Sequence, residues 1–530
     1  MPIINKTKRT AAIYNRGREV VKVYDHGKLA WQKSTSIPDY LCFTALEAGQ
    51  FTLTIPAALS TNANSRLSYI EWSKDGRNWN RTENKNSTEI TIPVDVVTGD
   101  NVYWRGSGTS MTSASVALTS DCRFTSTARF NASGHLLSLL KLDDYDATTG
   151  WASATFANLF YQAATLIDAS GIILPALAAG NAYTFYGTFY ECTNLVAAPD
   201  FNTSYTGNFM CFQMYRGCTS LTTMPKLPTT LSTSIFSGMF RGCTSLAIIQ
   251  PLNYSTLAEN CFANMFNGCS SLSYVKCLAT DISANGCLTN WLNGVSSTGT
   301  FIQASGVTWP RGASGIPTGG VDIEKRTMPS GYKQVLYLRN PNYGYISINR
   351  AFEANAETLE VAFVKQATGT SMPFGSSIHN YRYGSVKVTE QATALAVNVG
   401  IDFANQVNKI VSIASVTADT PRTLRYEGNA SGFEVYLDGV LKSTQTCAWD
   451  AVNPFASNLV FSASTNASST AYFHVLPVYY LKIWDGNGVL ALDYVAAVRE
   501  SDGVAGFYDM ANNVFHKSDN ANDFTAGEEI

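Results

Sequence analysis

Between Phe189 and Val295 the hydrophobic positions recur in blocks that can be laid over one another. Glu191-Cys192-Thr193-Asn194-Leu195 is followed by Gly217-Cys218-Thr219-Ser220-Leu221, Gly242-Cys243-Thr244-Ser245-Leu246 and Gly268-Cys269-Ser270-Ser271-Leu272. The cysteines stand 26, 25 and 26 residues apart, each with a ring three positions before it (Phe189, Tyr215, Phe240, Phe266) and a leucine three positions after. A unit of this length cannot bury its apolar face alone, so in-phase copies predict a solenoid of stacked coils. In the third copy Leu246-Ala247-Ile248-Ile249 reads as a short strand ended by Pro251, and Leu257 to Phe266 as a compact helical or turn segment. Pro199, Pro225 and Pro251 share one phase, where a missing N–H is harmless at a strand end. The glycine before each cysteine permits a tight turn. Ala163 and Val295 replace the cysteine in the outermost copies, which read as caps, and Leu136-Leu137-Ser138-Leu139-Leu140 supplies an apolar plug for the first coil.

Outside the repeats the period falls to two. Phe51-Thr52-Leu53-Thr54-Ile55 alternates cleanly, Leu67 to Trp72 less strictly, and Val102-Tyr103-Trp104 follows a turn at Gly99-Asp100. Short strands at this spacing predict an immunoglobulin-like sandwich over 37–118. Ahead of it, Ile13-Tyr14-Asn15-Arg16-Gly17 is echoed by Val23-Tyr24-Asp25-His26-Gly27, which predicts two small hairpins within 1–36. The expected fold class is mainly β and multidomain. The repeats with their caps occupy 119–300, a Gly- and Pro-rich linker 301–330, and a jelly-roll sandwich 331–530, with strands at Val335–Leu338, Thr358–Phe363, Phe433–Leu437 and Tyr479–Trp484.

Composition narrows the functional classes. The 37 Lys+Arg and 40 Asp+Glu give a net charge of −3 with no long run of either sign, which argues against nucleic acid, a partner that needs clustered basic residues. No stretch approaches the apolar length of a membrane span, and the first residues lack the apolar run of a secretory signal, so folding in the cytoplasm is expected. The 11 cysteines read as small apolar packing residues; the closest pair, Cys211 and Cys218, is too far apart for the usual zinc spacing. The five histidines are scattered, so neither metal nor cofactor is expected. The chain shows no nucleophile elbow, no His-Glu-x-x-His and no phosphate loop, and the reading is a non-enzyme. Ser73-Lys74-Asp75-Gly76-Arg77-Asn78-Trp79 resembles the Asp-box of sialidases, but a single copy without an arginine triad reads as an Asp-Gly hairpin beside a tryptophan.

The Met239-Phe240-Arg241-Gly242-Cys243-Thr244-Ser245-Leu246 unit and its copies resemble BspA-like leucine-rich repeats of gut Bacteroidetes and their phages. Gly331 to Leu338, Pro373-Phe374-Gly375, Leu481 to Leu490 and Gly506 to Asp509 are similar to laminin-G or concanavalin A-like domains, although Arg339-Asn340-Pro341-Asn342 departs from the family's Ser-Thr-Gly stretch. The run from Tyr14 to Trp31 is similar to leaders of phage structural proteins. Together these resemblances imply a phage fibre or receptor-binding protein that attaches to a host surface glycan or protein and assembles into virions in the host cytoplasm. Tyr14, Val23, Tyr24, Leu29 and Trp31 would then meet other virion proteins, as a hairpin completing a partner's sheet. Sugar recognition would use ring faces with polar groups beside them, and Tyr343, Tyr345, His379, Tyr381 and Tyr383 on turn-rich stretches are the candidates; the same rings would also suit a core or a subunit interface. The resemblance to fibres implies a homo-oligomer, commonly a trimer. A bacterial cell-surface adhesin and a glycan-cleaving enzyme are the alternatives.

Overall fold

The structure, a computed structural model, describes residues 14–15, 18–19, 22–25, 28–32, 38–59, 66–84, 88–112, 121–145, 152–175, 181–201, 207–319, 321–339, 346–351, 356–364, 374–375, 386–391, 394–402, 407–414, 416, 421–447, 458–461, 478–517, 524–527 and 529–530. It is mainly β, built of several open sheets. At the amino terminus the duplicated pattern forms two hairpins, Tyr14–Asn15 with Arg18–Glu19 and Lys22–Asp25 with Lys28–Gln32. The surroundings of the Tyr14, Val23, Tyr24, Leu29 and Trp31 side chains lie outside what is described.

The first sandwich follows from simple alternation. In Gly49–Ile55 the side chains of Phe51, Leu53 and Ile55 are buried while Thr52 and Thr54 are partly exposed. Gly49–Ile55 lies between Arg123–Ser126 and Ile90–Val96 in one sheet. The facing sheet runs Leu166–Ile173, Phe130–His135, Leu41–Ala45, Asn101–Gly108, Leu67–Ser73, Asn80–Glu83. Phe43 sits at the centre, with ring centroids 4.7 Å from Phe124, 4.9 Å from Phe130 and 5.6 Å from Phe51. Arg123–Ser126 and Phe130–His135, which the sequence reading places within the capped repeat block 119–300, complete these two sheets instead. The Asp75 turn is structural: the carboxylate accepts hydrogen bonds from Ser73 Oγ and from the backbone N–H groups of Arg77 and Asn78. These donors hold its pKa far below the ordinary carboxylate value.

Phe130–His135 pairs antiparallel with Leu41–Ala45 on one side and parallel with Leu166–Ile173 on the other, so the first coil continues the sandwich's sheet. One hydrophobic cluster accordingly runs from Leu41 to Ile316. Leu136, Leu137, Leu139 and Leu140 are all buried in it around the short helix Ser138–Lys141. Ser138 fixes that helix to the sandwich, its Oγ donating to the Trp104 carbonyl at 2.8 Å and accepting from Leu41 N–H at 3.0 Å.

The repeats stack coil on coil, and the return segment of each is a chain of turns with a left-handed residue at every fourth position. Phe209, Gln213 and Gly217 have φ of +54°, +55° and +77°, and Asn260, Asn264 and Gly268 have +52°, +55° and +82°. This alternation points every second N–H along the stack. Gly217, Gly242 and Gly268 donate to the carbonyls of Arg241, Asn267 and Asn293, and Tyr215, Phe240 and Phe266 to those of Met239, Met265 and Trp291. The intervening N–H groups close turns three residues back, so the backbone of a buried turn segment stays paired. Inside, the rings stack from coil to coil: Phe160–Phe189 at 5.3 Å, Phe189–Tyr215 at 5.4 Å, Tyr215–Phe240 at 5.5 Å and Phe240–Phe266 at 5.8 Å. The short strand expected at Leu246–Ile249 reduces to one parallel bridge, Ile248 to Thr223.

The stretch read as a linker carries structure of its own. Thr300–Ala304 and Val321–Lys325 extend a parallel sheet begun by Tyr274–Cys277. Ile302, Val321 and Ile323 from this sheet share a cluster with Leu336, Ala362, Tyr479, Tyr480 and Ile530. The carboxyl-terminal sandwich has an eleven-stranded sheet, in which Pro421–Asn429, Thr358–Val364, Val478–Trp484 and Leu490–Arg499 are neighbours, and a six-stranded sheet that includes Val386–Gln391 and Ala394–Asp402. Leu395, Val397 and Val399 of the second pack with Val361, Leu424 and Ile483 of the first.

Candidate binding pocket between the last coils and the carboxyl-terminal sandwich

Tyr343, Tyr345, His379, Tyr381 and Tyr383 lie outside the described residues. The polar concavity that the described residues form is elsewhere, where the parallel sheet at the end of the coil stack meets the eleven-stranded sheet. It is a pocket of about 110 Å³ lined by Gln303, Arg311, Asp322, Glu324 and Arg326 on one side and Gln334, Glu360, Tyr479, Tyr480 and Lys482 on the other.

Strand alternation places these side chains. In Val321–Lys325, Val321 and Ile323 are buried in the junction while Asp322 and Glu324 are only partly covered. Gln303 pairs with Glu324 across the neighbouring strand. In the sandwich, Glu360 and Lys482 are direct partners on adjacent antiparallel strands. Gln334 locks the two walls together: its Oε1 accepts from Arg326 N–H at 2.7 Å and its Nε2 donates to the Glu324 carbonyl at 3.0 Å.

The pocket is densely charged and nearly balanced. Arg311 pairs with Asp322 at 3.2 Å, Arg326 with Glu324 at 2.8 Å and with Asp493 at 3.0 Å, and Arg425 with Glu360 at 3.4 Å. Gln303 Nε2 donates to Asp322 Oδ2 and Tyr480 Oη to Glu360 Oε1, each at 3.0 Å. Lys482 makes no ion pair with a described residue; its ammonium lies 5.1 Å from the Tyr480 ring centre. Burial pushes the Asp322 carboxyl up to about 6, a loss that Arg311 and Lys482 only partly offset and that Glu324 and Glu360 reinforce. Burial also raises Asp493 and lifts the Tyr480 phenol well above its ordinary value. Asp322 Oδ1, Gln303 Oε1, Arg326 Nε and Asp493 Oδ1 are buried without a hydrogen-bond partner. The partly exposed Arg311, Glu324, Glu360 and Lys482 side chains are the groups of the lining that a polar guest can reach for hydrogen bonds.

A second surface feature lies on the outside of the first coils. Half-exposed rings stack there in short ladders, Tyr161 on Tyr190 at 4.8 Å, Tyr183 on Phe209 at 4.9 Å and Tyr186 on Phe212 at 5.4 Å, with the Arg216 guanidinium 5.2 Å from the Tyr190 ring centre. In the fourth coil the matching positions are Ser234 and Ser237, and those ladders stop.

Sequence reasoning missed the pocket for a physical reason. Glu360 and Lys482 look like ordinary outward polar positions of alternating strands, and the Asp322 wall falls in a Gly- and Pro-rich stretch; only tertiary pairing brings them together. Among the described residues no group of three or more His, Cys, Asp or Glu side chains is placed to hold a metal ion. No described helix is long and apolar enough to cross a membrane.

No protein-family model and no curated protein matches the chain. Solved structures with a partial likeness include mouse laminin alpha1 chain domains LG4-5, at 10% identity, TM-score 0.23, covering 31% of this chain and 44% of that one. A SAP-like pentraxin from Limulus polyphemus aligns at 9% identity and TM-score 0.23 over 37% of this chain and 91% of its own. A Bacteroides ovatus protein described as carbohydrate-binding aligns at 12% identity and TM-score 0.28 over 39% of this chain and 64% of its own. This chain thus spans less than half of the laminin fragment it aligns with.

Proposed function

We propose that this protein is a phage virion fibre or receptor-binding adhesin that attaches to a host cell surface through glycans. The observation that carries the binding half of this reading is the junction pocket, in which carboxylates, guanidinium groups, tyrosines and the Lys482 ammonium, which has no ion pair with a described residue, converge on one polar concavity. Hydroxyl-rich ligands suit such a mixture, because each hydroxyl both donates and accepts. In this reading the stacked coils are a BspA-like leucine-rich-repeat solenoid that serves as shaft and display surface, and the sandwich beyond them is its lectin-like end. The paired hairpins at Tyr14–Gln32 are the segment that joins other virion proteins, and the assembled fibre is a homo-oligomer. The protein acts by binding rather than by catalysis.

The test has two arms. Fluorescently labelled protein should adsorb to susceptible Bacteroidetes cells and lose that adsorption when surface glycans are oxidised with periodate. Mass spectrometry of purified particles should find the chain in virions. Adsorption that survives periodate would contradict the glycan reading, and recovery of the chain only from bacterial envelopes would replace the virion with a cell-surface adhesin.

A further inference from the structure

We infer that the junction pocket takes a neutral, hydroxyl-rich mono- or disaccharide unit and discriminates against acidic sugars. This rests on the glycan-binding reading above and assigns the ligand class of that same site.

Charge balance is the reason. Each carboxylate in or directly behind the wall has a cationic partner: Asp322 has Arg311, Glu324 and Asp493 share Arg326, and Glu360 has Arg425. An acidic ligand can reach a guanidinium only by competing with one of these carboxylates, and at Lys482, which has no ion pair with a described residue, it meets the Glu360 carboxylate directly across the strand pair. The loser is left as an uncompensated charge in a partly buried site, a costly outcome where burial already disfavours charge on Asp322. A cationic ligand meets Lys482, Arg311 and Arg326 and faces the mirror problem. Selectivity here is built as much from what the wall repels as from what it attracts.

A neutral polyol meets neither obstacle. Lys482 has three N–H donors and no carboxylate within ion-pairing distance among the described residues, and directly across the strand pair from it stands Glu360, which can only accept. One sugar hydroxyl can accept from Lys482 while its proton, or that of an adjacent hydroxyl, is donated to Glu360. Gln303 and Asp322 offer a matching carboxamide and carboxylate on the opposite wall. Because the coil stack contributes Gln303 and Asp322 and the sandwich contributes Glu360 and Lys482, the ligand spans the junction and bridges the two units.

Saturation-transfer NMR and titration calorimetry on the full chain would test this with glucose, galactose, mannose, N-acetylglucosamine and lactose against glucuronic acid and N-acetylneuraminic acid. At least one neutral sugar should bind, tenfold or more tighter than either acid. Lys482→Met and Glu360→Gln should each weaken that sugar about tenfold, with circular dichroism and melting temperature retained. An acidic sugar bound as tightly as the best neutral one, or neutral binding unchanged in both variants, would overturn the inference. If no soluble sugar binds while periodate-sensitive adsorption to cells persists, the pocket assignment fails and the adhesin reading stands; loss of both would remove the two together.

Discussion

The Cys243 thiol donates to the Tyr215 carbonyl, 3.1 Å away in the preceding coil. The same bond links Cys192 to Phe160, Cys218 to Phe189 and Cys269 to Phe240 at 3.0–3.1 Å. The cysteines are therefore more than apolar filler, since each thiol gives a second donor to a carbonyl that already closes a turn with a backbone N–H. Cys243→Ser keeps a donor of similar size and should cost less than about 1.5 kcal/mol, whereas Cys243→Ala loses both bond and volume and should cost about 1–3 kcal/mol. Chemical denaturation of the two variants gives the comparison, and equal losses would show that the hydrogen bond is idle.

Thiol reactivity follows from the same geometry. Ten cysteines are buried and Cys447 is half-buried. Burial pushes Cys261, Cys269 and Cys277 up to about 12, far from the thiolate form that reacts. Iodoacetamide at pH 8 followed by peptide mapping should label at most Cys447 in the folded chain and all 11 cysteines after unfolding. Rapid native labelling of Cys218 or Cys243 would contradict the stacked arrangement.

The turn alternation predicts a sharp contrast between two neighbouring positions. Gly268 has φ of +82°, and a Cβ there would lie 3.5 Å from the Gly242 Cα, so Gly268→Ala should cost about 1–2 kcal/mol, mainly from the left-handed backbone. Asn264, at φ +55°, should accept glycine with little change, because both residues tolerate that conformation. Thermal melts of the two variants decide the matter.

Much of this architecture was legible in the chain. The period of 26 gave coils because rings, cysteines and leucines had to fall on one interior face. Alternation in Phe51–Ile55 gave the first sandwich, and the duplicated Tyr-x-x-Gly pattern gave the hairpins. A further signal went unread: Asn260, Asn264 and Gly268 are spaced by four and all favour left-handed backbone, which already distinguishes a turn chain from a helix. The pocket was illegible for a different reason. Its walls come from strands more than 150 residues apart, such as those bearing Asp322 and Lys482, and nothing local marks a strand's polar face as turned toward another domain.

Asp121 offers a pH test. Its side chain is 2% exposed, Asn158 Nδ2 donates to it at 2.7 Å, and its other oxygen is buried without a partner. Burial raises its pKa from 3.8 to about 7 against the smaller effects of Asn158 and Arg123. The folded state thus binds the proton more tightly than the unfolded chain, so this stabilising contribution is full below pH 3.8 and is lost as pH rises to about 7. Asp121→Asn should match the parent near pH 4 and exceed it at pH 8 by on the order of 2–4 kcal/mol. Denaturant titrations at the two pH values check it; a variant less stable than the parent at pH 8 would contradict the assignment.

The central claim is that the protein binds glycan through the junction pocket, and an array of immobilised saccharides reads it most directly. The parent chain should retain a defined set of neutral glycans, and the Glu360→Gln/Lys482→Met double variant, folded to the same melting temperature, should lose that set. A parent that retains none, or a double variant that retains the same set undiminished, would contradict the account.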